Sequence, residues 1–290
     1  MTAWRDVADA EDVYRDFCLW EYRRQAPAEG KPRSAELLRQ SFADVELGDR
    51  GERLCATLRD RIGPFRTVWG IKWDSLEVTW ELYFYDYARR RREVSLDLVR
   101  STLDGLVALP SNAKVLGDPP YFMCSVEFDA AALAGEKTAS EVSIYVDDAG
   151  FDGNSGRSYR LTADGPMLRN TYYFVERATG MRRVHDLVAS SMHLGAAADR
   201  LAAWTGRYRG SDGAMIVVAS KAWTDGLYYT RIGCDSLATF MADLGFPKTL
   251  LGLLERADRP FDHLLFDIGF DVQLSASGPE VRKGAIYGVL

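Results

Sequence analysis

The chain has 290 residues, an apolar fraction of 47% and a formal charge of −6 at pH 7. This acidic balance excludes a general nucleic-acid binder, because such proteins need basic surfaces. No apolar run reaches the roughly 18 residues of a membrane span, and the acid-rich first residues lack the apolar stretch of a signal peptide. We therefore expect a cytoplasmic protein with no nucleic-acid or membrane partner.

The cysteines and histidines show no metal-ligand spacing. The four cysteines stand at positions 18, 55, 124 and 234, which favours buried, reduced thiols over a zinc site or a disulfide framework. His185 and His193 lie eight residues apart, beyond the i, i+4 reach of one helical site, so we assign no metal ligand. Phosphate-loop, dinucleotide-binding and nucleophile-elbow motifs are also absent from the sequence.

The first part of the chain is predicted to be helical. Three segments between residues 10 and 62 have the composition of helices, separated by a loop from Pro27 to Pro32. Val13, Phe17 and Trp20 follow the i, i+4, i+7 spacing of one apolar helix face. We expect residues 1–63 to pack as helices on the outside of residues 64–290, within a single domain 1–290.

A repeated unit organises the remainder. Residues 215–244 read as a strand, a turn at Trp223-Thr224-Asp225-Gly226, a second strand, and a helix that begins at Asp235 or Ser236. Four further strand pairs have this build: Thr67 to Tyr87, Tyr121 to Asp147, Ser158 to Val175 and Leu264 to Val289. Such repetition predicts an α+β fold, a closed ten-stranded antiparallel β-barrel surrounded by α-helices.

Other helices are expected between the hairpins. One should run from Ser95, as N-cap, to about Leu109, where Pro110 stops it. Long helical patterns also cover residues 182–204 and, after Pro247, residues 248–256. The loop from Gly150 to Gly156 leaves no room for a helix before the third hairpin.

Alternation within the strands assigns a face to each side chain. In residues 80–85, apolar side chains alternate with Glu81, Tyr83 and Tyr85, so the apolar face should meet the helices and the other face the lumen. The same rule turns these residues inward: Lys72, Glu81, Tyr83, Tyr85, Glu127, Glu141, Tyr145, Arg160, Asn170, Tyr172, Lys221, Tyr228, Asp267, Asp271, Lys283 and Tyr287. We expect a wet lumen that holds a ligand, although a one-residue slip would turn a whole strand around.

Two features each have two interpretations. Lys221 stands mid-strand between apolar neighbours, where a lysine needs either a ligand anion or an ion pair with Glu81, Glu127 or Glu141. The run Arg89–Arg92 after a strand is either a solvated rim or a mouth that collects an anionic or peptidic ligand.

The chain resembles the ABBA-barrel aromatic prenyltransferases, in particular the branch that prenylates cyanobactin-type ribosomal peptides. The resemblance spans the five hairpins and is sharpest at Ser220-Lys221-Ala222 and Leu227-Tyr228-Tyr229, with a weaker match at GAIYGV around Tyr287. It implies transfer of an isoprenyl group from a prenyl diphosphate to an aromatic, hydroxyl or amine acceptor on a small molecule or a peptide.

The resemblance also implies roles for single residues. Cations would hold the diphosphate, namely Lys221, Lys283, Lys72 and Arg231, with Arg169 as a further candidate. Five tyrosines would shield the allylic cation: Tyr83, Tyr145, Tyr172, Tyr228 and Tyr287. Glu81 or Glu141 would take the proton of the acceptor.

The chain departs from the family's basic pattern at three positions. Glu81, Glu141 and Ala285 stand where relatives tend to carry basic residues. Either other cations compensate, or Mg²⁺ bridges the glutamates to the phosphates, or the barrel no longer handles diphosphates. The alternative function is therefore a diverged barrel that binds a cationic or peptidic ligand in an acidic lumen; a third is an accessory protein for peptide modification that docks through its N-terminal region.

Overall fold

Ten antiparallel strands close into one barrel, as predicted, in which β1 pairs with β10. The computed structural model describes residues 4–86, 93–111, 113, 115, 120–147 and 155–290. The strands are β1 (Thr67–Trp73), β2 (Val78–Tyr85), β3 (Tyr121–Phe128), β4 (Glu141–Asp147), β5 (Ser155–Thr162), β6 (Gly165–Glu176), β7 (Met215–Lys221), β8 (Asp225–Gly233), β9 (Leu265–Ser275) and β10 (Gly278–Val289).

The order of the strands gives the barrel two different ends. Because each strand runs antiparallel to the next in the chain, all five connections within hairpins lie at one end, here called the turn end. The connections between hairpins start and finish at the opposite end, here called the crossover end. The arginine run Arg89–Arg92, interpreted above as a rim or a mouth, lies outside the described residues, as do residues 150–154 of the predicted loop.

Helices cover the outer face of the barrel. They are α1 (Ala35–Ala43), α2 (Gly48–Arg61), α3 (Leu96–Leu103), α4 (Ala130–Ala134), α5 (Met181–Ser190), α6 (Leu201–Arg207), α7 (Cys234–Asp243) and α8 (Lys248–Leu254), with a 3₁₀ turn at Gly195–Arg200. The main apolar core therefore lies between helices and barrel: Phe42 of α1 packs on Trp80 of β2 with ring centroids 4.8 Å apart. Within the described ranges, no helix has both the length and the apolar character needed to cross a bilayer.

The first predicted helical segment, residues 11–25, is not a helix in the structure. Residues 13–25, here called the N-terminal strap, are irregular, with a bridge between Arg15 and Glu21 and a left-handed backbone at Leu19 (φ 57°). The Asp16 carboxylate accepts hydrogen bonds from the backbone N–H groups of Cys18 and Trp20, both at 3.0 Å, which folds the strap back on itself. Trp20 does not join an apolar stripe, because its surface is 51% exposed.

The predicted helix over residues 182–204 is broken in the structure. Its first part ends at Ser190, and the buried Asp225 of β8 then accepts hydrogen bonds from the turn that follows. Asp225 Oδ2 lies 2.6 Å from Ser191 Oγ and 2.7 Å from the His193 nitrogen. A carboxylate distant in sequence thus captures donors that a continuous helix would have needed.

The shorter helix α3 begins as predicted but ends early. Ser95 Oγ accepts a hydrogen bond from the Leu98 N–H at 3.1 Å, which confirms the N-cap. The helix stops at Leu103, before Pro110, and Gly105 then takes a left-handed conformation (φ 74°).

The role of Asp225 predicts a stability loss. We expect Asp225→Ala to lower the free energy of unfolding by about 2–4 kcal/mol, because it removes buried hydrogen bonds and leaves N–H groups unsatisfied. Asp164→Ala, in the exposed β5–β6 turn, is the matched control and should change it by less than about 0.5 kcal/mol. Urea unfolding measures both; equal losses would show that Asp225 does not hold the turn.

Candidate functional site

The predicted inward faces are confirmed. Of the side chains assigned to the lumen from alternation, all but Arg160 line one of two adjoining cavities inside the barrel. Arg160 instead lies with its Nε 4.0 Å from Glu141 and donates to the Ser140 carbonyl at 3.1 Å. At the other positions the strand register contains no slip that would exchange inside and outside, whereas Arg160 follows a register shift of β5 between Ser158 and Tyr159.

Three glutamates come together at the turn end. Cross-strand pairing places Glu81 of β2 beside Glu127 of β3, and Glu127 beside Glu141 of β4. The Nζ of Lys72 contacts both Glu81 and Glu127, and Lys283 Nζ lies 3.6 Å from Glu127 Oε1. These lysines offset the electrostatic repulsion among the three neighbouring carboxylates.

The ionisation of this group follows from its pairing. Burial alone would lower the pKa of Lys72, but Glu127 and Glu81 outweigh burial and hold that pKa well above its usual range. Burial likewise opposes ionisation of Glu127, yet Lys72 and Lys283 lower its pKa to about 2. The pKa of Lys283 is lowered by burial and by Lys72, so Lys283 is the least firmly compensated of these cations.

Lys221 has a carboxylate partner that the sequence analysis did not choose. Its Nζ lies 2.6 Å from Asp271 Oδ1 on β9 and donates to the Tyr228 hydroxyl at 2.9 Å. Burial opposes the charge of Lys221, but Asp271 raises its pKa above the usual value. The expected ion pair is therefore present with Asp271, because register across β7, β8 and β9 brings the two together, and not with Glu81, Glu127 or Glu141.

Glu141 is held more loosely. Arg169 lies 3.4 Å from Glu141 Oε2, and Ser143 Oγ donates to Glu141 Oε1 at 2.8 Å. No lysine among the described residues forms an ion pair with this carboxylate. With 23% of its side chain exposed against 8% for Glu81, Glu141 is the more accessible of these two carboxylates.

Together these side chains form the charged compartment, a cavity of about 200 Å³ at the turn end. Its described lining carries as many cations as carboxylates: Lys72, Arg169, Lys221 and Lys283 against Glu81, Glu127, Glu141 and Asp271. The acidic excess expected for the alternative function is not found in this lining. Ala285 also lines it, where the family resemblance placed a basic residue.

The five predicted tyrosines form a continuous aromatic array. Ring centroids are 6.0–6.4 Å apart along the sequence of contacts Tyr172, Tyr145, Tyr83, Tyr287 and Tyr228. Burial, with Glu81 beside them, raises the pKa of Tyr83 and Tyr145 well above the usual value, so these phenols stay neutral. We call this array the tyrosine ring.

Glycines make room for the tyrosine ring. A Cβ at Gly269 would stand 2.1 Å from the Tyr228 ring, and one at Gly70 would stand 2.8 Å from the Tyr287 ring. Both aromatic planes therefore lie directly on the backbone of a neighbouring strand. Only glycine at these positions leaves the ring faces where they are.

A second cavity, the apolar chamber, adjoins the first. It measures about 80 Å³, and the same five tyrosines line it. Its other walls are mostly apolar: Phe17, Tyr85, Phe122, Met123, Phe174, Val217 and Ile268. The tyrosine ring thus separates a charged space at the turn end from an apolar space nearer the crossover end.

Arg231 is not brought together with the other predicted cations. It lines neither cavity, because an irregularity of β8 between Tyr229 and Ile232 gives it a left-handed backbone (φ 55°). Its Nε lies 2.9 Å from Asp16 Oδ2, and its backbone N–H donates to Asp267 Oδ1 at 2.8 Å. Arg231 fastens the N-terminal strap to β9, so its predicted place at the diphosphate is not supported by its position.

The described residues contain no group of three or more His, Cys, Asp or Glu side chains arranged to hold a metal ion. Glu81 and Glu127 share Lys72 instead. A Mg²⁺ ion in the charged compartment would need phosphate and water oxygens to complete its coordination. The residues present thus fit only a metal that arrives with a phosphorylated ligand.

Asp267 predicts a pH dependence of stability. Burial, with Asp16 nearby, raises the pKa of Asp267 from 3.8 to about 8. Between pH 3.8 and about pH 8 the folded chain keeps a proton on Asp267 that the unfolded chain releases. The contribution of protonated Asp267 to the free energy of unfolding therefore falls as pH rises through this range.

In Asp267→Asn that titration is absent. We expect the difference in unfolding free energy, wild type minus variant, to shrink by about 2–4 kcal/mol from pH 5 to pH 8. Urea unfolding at four pH values measures it; titrating groups outside this carboxylate pair, such as His263, cancel in the difference, whereas Asp16 interacts with Asp267 and belongs to the same titration. A difference independent of pH would show that Asp267 is ionised throughout.

No protein-family model matches the chain, and no curated protein shows significant similarity to it.

Proposed function

We propose that the chain transfers an isoprenyl group from a prenyl diphosphate to an electron-rich acceptor: an aromatic ring, a hydroxyl or an amine on a small molecule or peptide. The observation that carries the proposal is the tyrosine ring between a charged compartment and an apolar chamber. A prenyl diphosphate has the matching order of parts: an anionic head, an allylic carbon that becomes cationic, and a hydrocarbon tail.

The chemistry can be assigned to these parts. The bond between the allylic carbon and the diphosphate oxygen breaks, and its electron pair leaves with the diphosphate. Lys221, Lys283 and Lys72 stabilise the charge on the leaving group, while the tyrosine faces stabilise the carbocation. The acceptor then attacks the allylic carbon and releases a proton to a carboxylate.

Glu141 is the better candidate for that base. Glu81 contacts Lys72 and accepts hydrogen bonds from the hydroxyls of Tyr83 (2.6 Å) and Tyr145 (3.4 Å). Those partners occupy lone pairs of Glu81 that the proton of an acceptor would need. Glu141 has a neutral serine donor and more distant arginines, so an acceptor can reach it more readily.

Donor binding requires a rearrangement of ion pairs. One like charge about 4 Å away costs roughly 4 kcal/mol at an effective dielectric constant near 20. The donor's phosphates would therefore replace Asp271 at Lys221, or recruit Mg²⁺ between themselves and the glutamates. Lys283, the least firmly compensated lysine, is available without breaking a short ion pair.

One observation favours the alternative, a diverged barrel that binds a cationic or peptidic ligand without diphosphate chemistry. Each of the three lysines in the charged compartment already contacts a carboxylate. A ligand amine or guanidinium could take the place of a lysine as the ion-pair partner of one of these carboxylates, while the displaced lysine keeps its charge in the compartment. The equal number of cations and carboxylates gives such a ligand less attraction than an acidic lumen would.

The first test is donor binding by calorimetry. Wild-type protein should bind dimethylallyl S-thiolodiphosphate, and Lys221→Ala should weaken binding at least tenfold, about 1.4 kcal/mol. The double variant Lys221→Ala/Asp271→Asn should lose as much affinity, which separates the effect of the missing cation from the effect of an unpaired Asp271 carboxylate. Lys248→Ala, at an exposed site, is the neutral control.

The same titration decides between the two functions. Absence of heat in the wild type, with and without Mg²⁺, would contradict isoprenyl transfer. The alternative then predicts that agmatine binds and that Glu81→Gln weakens its affinity.

The second test concerns the tyrosine ring. Tyr287→Phe keeps the aromatic face and should retain release of diphosphate from dimethylallyl diphosphate, with water as the acceptor. Tyr287→Leu should slow that release about 2- to 30-fold, the equivalent of a cation–π contribution of about 0.5–2 kcal/mol. Equal rates in the two variants would exclude a role for the ring face in catalysis.

A further inference from the structure

The geometry points to the N-terminal strap as the part of the chain that sets how long a hydrocarbon tail the barrel holds, through the side chain of Phe17, which lines the apolar chamber together with the smaller Cys18. The inference rests on the proposed function for the nature of the ligand's head group. For the tail, it rests on the apolar chamber itself. Phe17 belongs to no strand, yet it lines this chamber together with the tyrosine ring.

Phe17 stands edge-on against the aromatic lining. Its ring centroid lies 5.0 Å from that of Tyr83 and 5.1 Å from that of Tyr287, both in T-shaped contacts. Tyr85 makes a third such contact at 6.4 Å. The phenyl ring thus occupies space directly beside the tyrosine ring that a ligand tail would otherwise enter.

The backbone of Phe17 is fixed by the barrel wall. Its N–H donates to Asp267 Oδ2 of β9 at 2.5 Å, and its carbonyl accepts a hydrogen bond from the Tyr85 hydroxyl of β2. The preceding residue, Asp16, accepts from Arg231 Nε of β8 at 2.9 Å. Three strands therefore hold this part of the strap in place, so the phenyl ring of Phe17 forms a fixed wall of the apolar chamber.

The volume of the chamber matches a short tail. It measures about 80 Å³, whereas an apolar cavity of about 150 Å³ holds a benzene molecule of six carbons. Since its volume is about half of that, the chamber by itself holds a five-carbon isoprenyl unit only in part, and it leaves no room for a second unit. Removal of the Phe17 phenyl ring frees a space close to that of benzene, which suffices for a second unit.

The experiment compares tails with and without the charged head. Calorimetry measures the affinity of the C5, C10 and C15 isoprenols and of their thiolodiphosphates for wild type, Phe17→Ala and Phe17→Leu. Wild type should prefer C5 over C10. The ratio of C10 to C5 affinity should rise at least tenfold in Phe17→Ala and by a smaller factor in Phe17→Leu, which retains more of the apolar volume.

Trp20→Ala is the matched control, because Trp20 belongs to the same strap but lines neither cavity. Its affinity ratio should equal that of the wild type. Thermal unfolding establishes which variants are folded, and if Phe17→Ala is not, Phe17→Leu alone must still shift the ratio. An unchanged ratio in a folded Phe17 variant, or no binding of any isoprenol to any variant, would overturn the inference.

The two ligand series separate this inference from the proposed function. If isoprenyl transfer is wrong, the thiolodiphosphates will bind no more tightly than the alcohols, while the alcohols still respond to Phe17. If Phe17 does not limit the length of the tail, the thiolodiphosphates will bind tightly with the same preference for tail length in every variant.

Discussion

Six residue pairs join β1 to β10 and turn ten strands into a cylinder. Closure removes the free edges of the sheet, and it also brings together side chains from the two ends of the barrel sequence. Lys72 of β1 reaches Glu127 of β3, which Lys283 of β10 approaches from the other side. The charged compartment and the tyrosine ring exist only because this ladder forms.

The lumen can be polar because the main apolar core lies between the barrel and the helices. The largest buried side chains, such as Trp80, pack outward against helices, so the inside need not be filled by apolar residues. Charges inside the barrel are then stabilised by one another: each lysine of the charged compartment contacts a carboxylate. This mutual compensation offsets part of the cost of burying the charges and at the same time limits the affinity of the barrel for a highly charged ligand.

Local patterns predicted the barrel and the lumen lining well. Alternation along a strand is a local property, so it assigned Glu81, Tyr145 and Lys221 to the inside correctly. Pairing between side chains depends on register across several strands, and for that reason the Lys221–Asp271 ion pair was not foreseen. A pattern within one strand carries no information on its second neighbour.

The two wrong helix predictions have a common physical origin, which is that a carboxylate accepts hydrogen bonds from backbone N–H groups. Asp225 interrupts the predicted helix over residues 182–204, and Asp267 binds the strap at Phe17. Asp16 accepts two further hydrogen bonds within the strap itself, and together these contacts outweigh the helical periodicity of residues 11–25. Arg231 was misplaced because the irregularity of β8 cannot be recognised from alternation.

The pairing of β1 with β10 has a consequence for synthesis of the chain on the ribosome. About 200 residues separate the two strands, and at about 5–20 residues per second the partner of β1 emerges roughly 10–40 s after β1 itself. During that interval one side of β1 has no hydrogen-bonding partner and can pair with another nascent chain. Helices α1 and α2, made earlier, pack against one another and α1 contacts β1, so they cover the apolar face of this strand, whereas its hydrogen-bonding edge is satisfied only when β10 arrives.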